Sequence, residues 1–124
     1  IIKTKKKIGN YYYKEFKNNK KILVQAPIQN KEKNIYWIFG ILINDNKFKK
    51  QDVIKKLLKM GIQSRDFFWP MHKQKIFIKY KMFKKEKFPV ADFLSKNGFY
   101  IPSGIDITKK QMKHVAESIN SIFK

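Results

Sequence analysis

Gly61-Ile62-Gln63-Ser64-Arg65-Asp66-Phe67-Phe68-Trp69-Pro70-Met71-His72-Lys73-Gln74 follows directly on an apolar-patterned run, Lys50 to Met60. In that run Val53, Ile54, Leu57 and Leu58 recur at helical spacing, so a helix with these four inward is expected. Gly61 stands where the glycine that ends a helix belongs. A strand from Ile62 to Phe68 should run back into a sheet. Pro70 biases Trp69 to an extended backbone and bars a helix from continuing there. The chain therefore hands over from helix to strand to loop within one short stretch, which sets the architecture of the rest.

The same stretch concentrates residues able to hold a ligand. Of 29 Lys+Arg residues, Arg65 is the one arginine. A guanidinium is planar and makes two parallel hydrogen bonds to a carboxylate or phosphate, which an ammonium cannot. Asp66 is adjacent, but neighbours on a strand point to opposite faces, which disfavours a direct pair. The residue types alone leave two readings of Arg65 evenly open: satisfied by helix carbonyls or a surface carboxylate, or aimed at an anion. A lone histidine such as His72 is more often structural. Arg65, His72 and Gln74 together could hold an anionic, hydroxyl-rich ligand, while Phe67, Phe68 and Trp69 exclude water.

Working outward, Ile1 to Asn19 is expected to be a helix with Ile1, Ile8, Tyr12 and Phe16 near one stripe, weakened by Gly9-Asn10. Lys3, Lys5, Lys6 and Lys7 read as its solvated face. Lys21 to Ala26 reads as a short strand, stopped by Pro27, and 29–34 as a polar loop. Asn34 to Ile43 reads as a central strand with Ile35, Trp37, Phe39, Ile41 and Ile43 on one face and Tyr36, Ile38 and Leu42 on the other; Trp37 could stack on a base or ring, but a core position is preferred. Lys73 to Lys87 interleaves lysines with aromatics. A strand over Lys75–Tyr80 is possible by propensity, as is contact with a nucleic acid strand; a loop over a ligand pocket is preferred. Pro89 opens a short helix at its first position, and Asn97-Gly98 closes it. Phe99 to Pro102 is a strand and Ser103-Gly104 a plain turn. Thr108, with Gln111 three residues on, caps a last helix whose stripe is Met112, Val115, Ala116, Ile119, Ile122 and Phe123. His114 falls off that stripe. The expected core is Leu23, Trp37, Phe39, Ile41, Ile54, Leu57, Leu58, Ile62, Leu94, Val115, Ile119 and Ile122.

The chain of 124 residues suits one domain, and 43% hydrophobic content argues against disorder. No apolar run approaches the ~20 residues that cross a bilayer. With no cysteine there is neither a disulfide framework nor a thiolate metal site; cytoplasm is the default compartment. A formal net charge of +20 points toward nucleic acid. Against that, the lysines are spread along the chain, and readers of nucleic acid favour arginine. No internal repeat, phosphate-loop motif or metal-ligand motif is present.

Gly61-Ile62-Gln63-Ser64-Arg65 running into Phe67-Phe68, then Pro70-Met71-His72, Phe88-Pro89-Val90-Ala91-Asp92 and Tyr100-Ile101-Pro102-Ser103-Gly104, resemble the DegT sugar aminotransferase family, in its perosamine synthase-like branch. Thr108 to Val115 resembles the family's last helix. The resemblance covers nearly the whole chain but only the C-terminal third of such an enzyme. It implies an α+β fold: a small, mainly antiparallel sheet with helices packed on one face, as in the C-terminal domain of a fold-type I aminotransferase. Residues 1–19 would end the linker helix between domains and 20–124 would form the small domain. The chain starts at Ile1 rather than Met and shows no counterpart of the family's large domain, so a fragment is expected.

The resemblance also implies pyridoxal phosphate, bound by that large domain and not by this chain alone. It implies a nucleotide-diphosphate sugar and an amino donor such as glutamate as partners, and a homodimer. Arg65, Phe67, Phe68, His72 and Gln74 are the substrate-binding candidates, with no catalytic residue, and the isolated chain should be inactive. A basic module binding nucleic acid is the alternative from another class; a dimerisation domain without ligand contacts is a third.

Overall fold

The computed structural model describes residues 1–29, 31–83 and 86–124. Asn30 of the expected 29–34 loop, and Lys84 and Lys85 of the 73–87 stretch, lie outside the described residues. Helix α1 (Ile2–Phe16) buries Ile8, Tyr12 and Phe16, which are four residues apart and so share one stripe. Asn19 Oδ1 then accepts the amide of Lys21 at 3.0 Å and turns the chain into β1 (Ile22–Val24). A two-stranded hairpin follows, β2 (Ile28–Gln29) with β3 (Glu32–Lys33), where a plain loop was expected. Next come β4 (Phe39–Ile43), α2 (Lys50–Lys59) and β5 (Arg65–Asp66). A 3-10 turn at Met71–Lys73 leads to α3 (Lys75–Lys79), a helical turn and not the strand that propensity allowed. α4 (Pro89–Asn97), β6 (Gly98–Ile101) and α5 (Lys109–Ile122) complete the chain.

The sheet runs β1-β4-β6-β5 and every pair is antiparallel. Phe39 is opposite Ile101 and Ile41 opposite Phe99, so these four and Ile43 share one face. Against that face pack Tyr12 and Phe16 of α1, Val53 and Leu57 of α2, and Val115 and Ile119 of α5. The expected α+β class with helices on one face is the observed one. β5, which carries Arg65, is an edge strand.

Two helix ends follow directly from the sequence. At the end of α2, Gly61 takes φ 76°, its amide donates to Leu58 O, and Ile62 N–H reaches back to Leu57 O, both at 2.9 Å. These two bonds satisfy carbonyls that the helix leaves open, and Ile62 is buried with Leu57 as the accompanying apolar contact. At the start of α5, Thr108 Oγ1 accepts from Gln111 N while Thr108 N donates to Gln111 Oε1 at 2.8 Å.

The largest departure from expectation is at 34–38. The strand begins only at Phe39. Asn34 Oδ1 accepts the amide of Tyr36 at 2.7 Å, a local bond that competes with the sheet ladder. Tyr36 takes φ 51°, a left-handed conformation that costs a non-glycine residue about 1–3 kcal/mol. Its ring is thereby buried, stacked on Phe39 at 5.6 Å, and its hydroxyl donates to Gln25 O. Trp37 is turned out and is 68% exposed, not core. Leu23 is also exposed, because its neighbours Ile22 and Val24 take the core side of β1. Leu58 is exposed because Leu57 points inward and the next helical position is rotated by ~100°. Ile54 and Ile122 pack at the core margin, and Leu94 is half-buried. The core adds Tyr12, Phe16, Tyr36, Phe99 and Ile101, which the expected list lacked.

Gly9 explains itself in this packing. A Cβ built there would stand 2.1 Å from Tyr36 Cγ, so the tyrosine ring lies on bare helix backbone. Gly9→Ala should therefore destabilise the fold by about 1–3 kcal/mol through overpacking, although alanine is the better helix former by ~1 kcal/mol. Urea unfolding of the two proteins checks the sign.

Burial pushes the Tyr36 hydroxyl up to about 12, with Tyr13 adding to it, and raises Tyr12 as well. The neutral phenol is the favoured form in the fold. Its contribution is complete below the unfolded value near 10 and is lost as pH climbs from there through 12. Stability measured between pH 9 and 12 should fall less steeply for Tyr36→Phe than for the unsubstituted chain. At neutral pH the same variant should lose about 1 kcal/mol with the bond to Gln25.

Candidate functional site

The sheet face opposite the helices carries Gly40, Gly98, Tyr100 and Arg65, because Gly40 and Arg65 are each opposite Tyr100 in register. Two of these positions have no side chain, and Phe67 fills the space. A Cβ at Gly40 would stand 2.8 Å from Phe67 Cζ, and one at Gly98 2.4 Å from Phe67 Cδ2. The Phe67 ring stacks on Tyr100 with centroids 4.5 Å apart. Its amide donates to Gly98 O, extending the pairing of β5 by one residue. Phe67 is thus a structural wedge that fixes the direction of the residues on either side.

Alternation along β5 then separates Asp66 from Arg65. Asp66 turns to the α2 side, where Lys50 Nζ is 2.6 Å away and Gln51 Nε2 donates at 3.4 Å. Arg65 turns to the open side, exposed, and its guanidinium has no hydrogen bond or ion pair among the described residues. Of the two readings of Arg65 left open above, this geometry removes satisfaction by helix carbonyls or a carboxylate of the described chain.

Arg65 faces a groove of about 600 Å³ lined by Lys5, Trp37, Phe68, Tyr100 and Ser103 among others. Phe68 is 69% exposed and tilts against Tyr100 at 5.7 Å. Trp37 and Phe68 are nearly parallel, with centroids 6.4 Å apart and planes 17° apart. Lys5, expected on the solvated face of α1, is half-buried here, and its ammonium donates to Ser103 O. Burial holds the Lys5 pKa below the ordinary lysine value. The groove therefore combines an unpaired guanidinium, a second cation and aromatic walls, with one carboxylate at its border, Asp66, which is held by Lys50. An anion carrying a planar or apolar group suits it.

His72 and Gln74 lie elsewhere. His72 Nε2 is 2.9 Å from Asp92 Oδ1, and Lys73 Nζ is 2.6 Å from the same oxygen. The His72 ring packs on Phe88 at 4.8 Å. Lys73 first, and His72 second, hold the Asp92 carboxyl below its ordinary pKa. Gln74 Nε2 points to Met71 Sδ at 3.9 Å. This cluster ties the 71–74 turn to α4, and neither His72 nor Gln74 lines the Arg65 groove. The structure thus brings Arg65 and Phe68 together, puts Phe67 beneath them and places His72 and Gln74 apart. Tyr100 and Lys5 are groove residues that the sequence did not single out, and Trp37, read as core in preference to a ring-stacking residue, lies on the groove wall.

A second groove of about 520 Å³ lies between Gly61-Ile62 and the start of α5, with Asp106, Lys110 and His114 on its walls. His114 is exposed, as expected, with Nε2 2.9 Å from Met60 O. No group of three or more His, Cys, Asp or Glu residues able to hold a metal ion occurs among the described residues. No helix among them is long and apolar enough to cross a membrane.

The chain is 27% identical to GDP-perosamine synthase of Escherichia coli O157:H7 over 99% of its own length and 32% of that protein. It is 28% identical to GDP-perosamine synthase of Vibrio cholerae over 99% of its length and 33% of that protein. The chain thus spans about a third of the curated relatives it matches. Among solved structures, Helicobacter pylori PseC, an aminotransferase involved in the biosynthesis of pseudoaminic acid, superposes with a TM-score of 0.83 at 18% identity. That match covers 98% of this chain and 32% of PseC. The aminotransferase TlmJ of Streptoalloteichus hindustanus superposes with a TM-score of 0.82 at 11% identity, over 97% of this chain and 31% of TlmJ. These two likenesses concern the fold. The family model for DegT/DnrJ/EryC1/StrS aminotransferases matches residues 1–120, and the chain belongs to that family.

Proposed function

We propose that these residues form the C-terminal part of a pyridoxal-phosphate-dependent aminotransferase. It would transfer an amino group, with glutamate as donor, to a nucleotide-linked 4-keto-6-deoxy sugar. Residues 1–19 end the linker helix and 20–124 make the small domain, within a cytoplasmic homodimer. Family membership and the likeness to two GDP-perosamine synthases support the reading. The single observation that carries this chain's part in it is the unpaired guanidinium of Arg65 at an aromatic groove.

Pyridoxal phosphate, when bound, supplies the electron sink for moving the amino group. The residues here do not make its site. The lysine at the groove, Lys5, is held on Ser103 O, and no carboxylate among the described residues pairs with Arg65 across it. The cofactor belongs in this reading to the two thirds of a family-length protein that this chain does not span.

What this chain does is bind and orient. Arg65 forks onto a phosphate or carboxylate of the substrate, and Phe68 walls the substrate groove from water. Phe67 holds both in place from beneath. The contact with Asp92 fixes the His72 ring and leaves Nδ1 without a partner among the described residues. We assign that atom a hydrogen bond to the diphosphate or sugar, with Gln74 beside it, on a ligand long enough to extend past the groove.

In a protein of full family length, Arg65→Lys should lower kcat/KM for the nucleotide sugar about tenfold to hundredfold. A bidentate charged contact contributes roughly 1.5–3 kcal/mol. Unchanged kcat/KM at unchanged stability would remove Arg65 from substrate recognition. The 124 residues alone should show no transaminase activity, and activity in the purified chain would refute the division of labour.

A further inference from the structure

Two large aromatic side chains stand in water at the Arg65 groove, and each is held there by a specific device. Trp37 is turned out because Tyr36 takes a left-handed backbone conformation and buries its own ring on Gly9. Phe68 is turned out because Phe67, its neighbour, is wedged over Gly40 and Gly98. The rings of Trp37 and Phe68 come from segments 31 residues apart in sequence, yet their planes agree within 17°. The two rings are thus a stacked pair, and its exposed aromatic area offers an apolar face to a planar ring. Arg65 and Lys5 border the same groove, and neither has a carboxylate partner among the described residues.

A flat aromatic surface beside two cations matches a molecule with a planar ring at one end and phosphates next to it. Base–aromatic stacking tolerates any base, since every base has a π-face. A forked guanidinium suits the phosphate oxygens. We propose that Trp37 and Phe68 are a stacking platform for the base of a nucleoside diphosphate whose phosphates lie on Arg65 and Lys5. This rests on the nucleotide-sugar reading given above and extends it to Trp37, Lys5 and the base.

Calorimetric titration of the chain with GDP, and with inorganic pyrophosphate as the base-free control, tests the proposal. GDP should bind about tenfold to hundredfold more tightly than pyrophosphate. Trp37→Ala should bring GDP down to the level of pyrophosphate while leaving pyrophosphate within twofold. Trp37→Phe should restore most of the advantage, and Phe68→Ala should remove part of it. Trp37 is exposed, so its variants should melt with the unsubstituted chain. Equal affinity for GDP and pyrophosphate, no binding of either, or full GDP affinity in Trp37→Ala would overturn the proposal. So would a change of oligomeric state in Trp37→Ala without a change in GDP affinity, which would make Trp37 a protein contact. A single-stranded oligonucleotide that binds more tightly than GDP, with affinity falling steeply in salt, would replace the nucleotide by nucleic acid. Arg65→Lys separates the two readings. If it spares both affinities while Trp37→Ala still removes the GDP advantage, the anion role of Arg65 fails and the platform stands.

Discussion

The Tyr36 ring resting on the bare backbone of Gly9 decides more of this molecule than any other contact. It joins the first helix to the segment entering the central strand. It stacks on Phe39, which in turn meets Tyr12 and Phe16 at 5.2 and 6.1 Å. The backbone strain at Tyr36 is offset by burial of a whole aromatic ring and a hydrogen bond to Gln25. Because Tyr36 goes in, Trp37 must come out. The hydrophobic core and the aromatic groove are two results of one placement.

A second pair of glycines does the same on the other side of the sheet. Gly40 and Gly98 are opposed to Tyr100 and Leu42 in the β4–β6 ladder, and their empty positions receive Phe67. Strand-interior glycines ordinarily weaken a sheet. Here a single phenylalanine covers both and locks the edge strand against β6. Arg65 inherits its direction from that lock, since its side chain alternates with Asp66 and shares a face with Phe67. Asp66 is drawn the other way by Lys50, so the two neighbours of opposite charge never meet.

Elements with strong local signals were legible in the sequence. Gly61 named the end of α2, Thr108 with Gln111 named the start of α5, and Pro89 named the start of α4. Each is settled by bonds within a few residues. The stripes of α1 and α5 were legible for the same reason. What could not be read was the exit from strand geometry at 34–38. Ile35, Tyr36, Trp37 and Ile38 are all good strand residues, and alternation put Trp37 inward. The deciding terms were Asn34, which captures the Tyr36 amide, and Gly9, some 27 residues away in sequence. Only the fold brings Gly9 to Tyr36. The candidate site divides along the same line. Arg65 was picked out by residue type and Phe68 by local composition. Lys5, Trp37 and Tyr100 reach the groove through long-range packing, and His72 is drawn from it by Asp92, a partner 20 residues on.

The outer strands of the sheet are only three and two residues long, β1 and β5. A row of open amides and carbonyls that short gives another chain little to zip onto. Lysines stand close by on both sides, Lys20 and Lys21 before β1 and Lys73 and Lys75 beyond β5. A polypeptide so rich in isoleucine and phenylalanine would otherwise be prone to fibrillar self-association. Its brief, cationic borders work against that, and they give the dense lysine content a use in colloidal behaviour that ligand recognition alone does not explain.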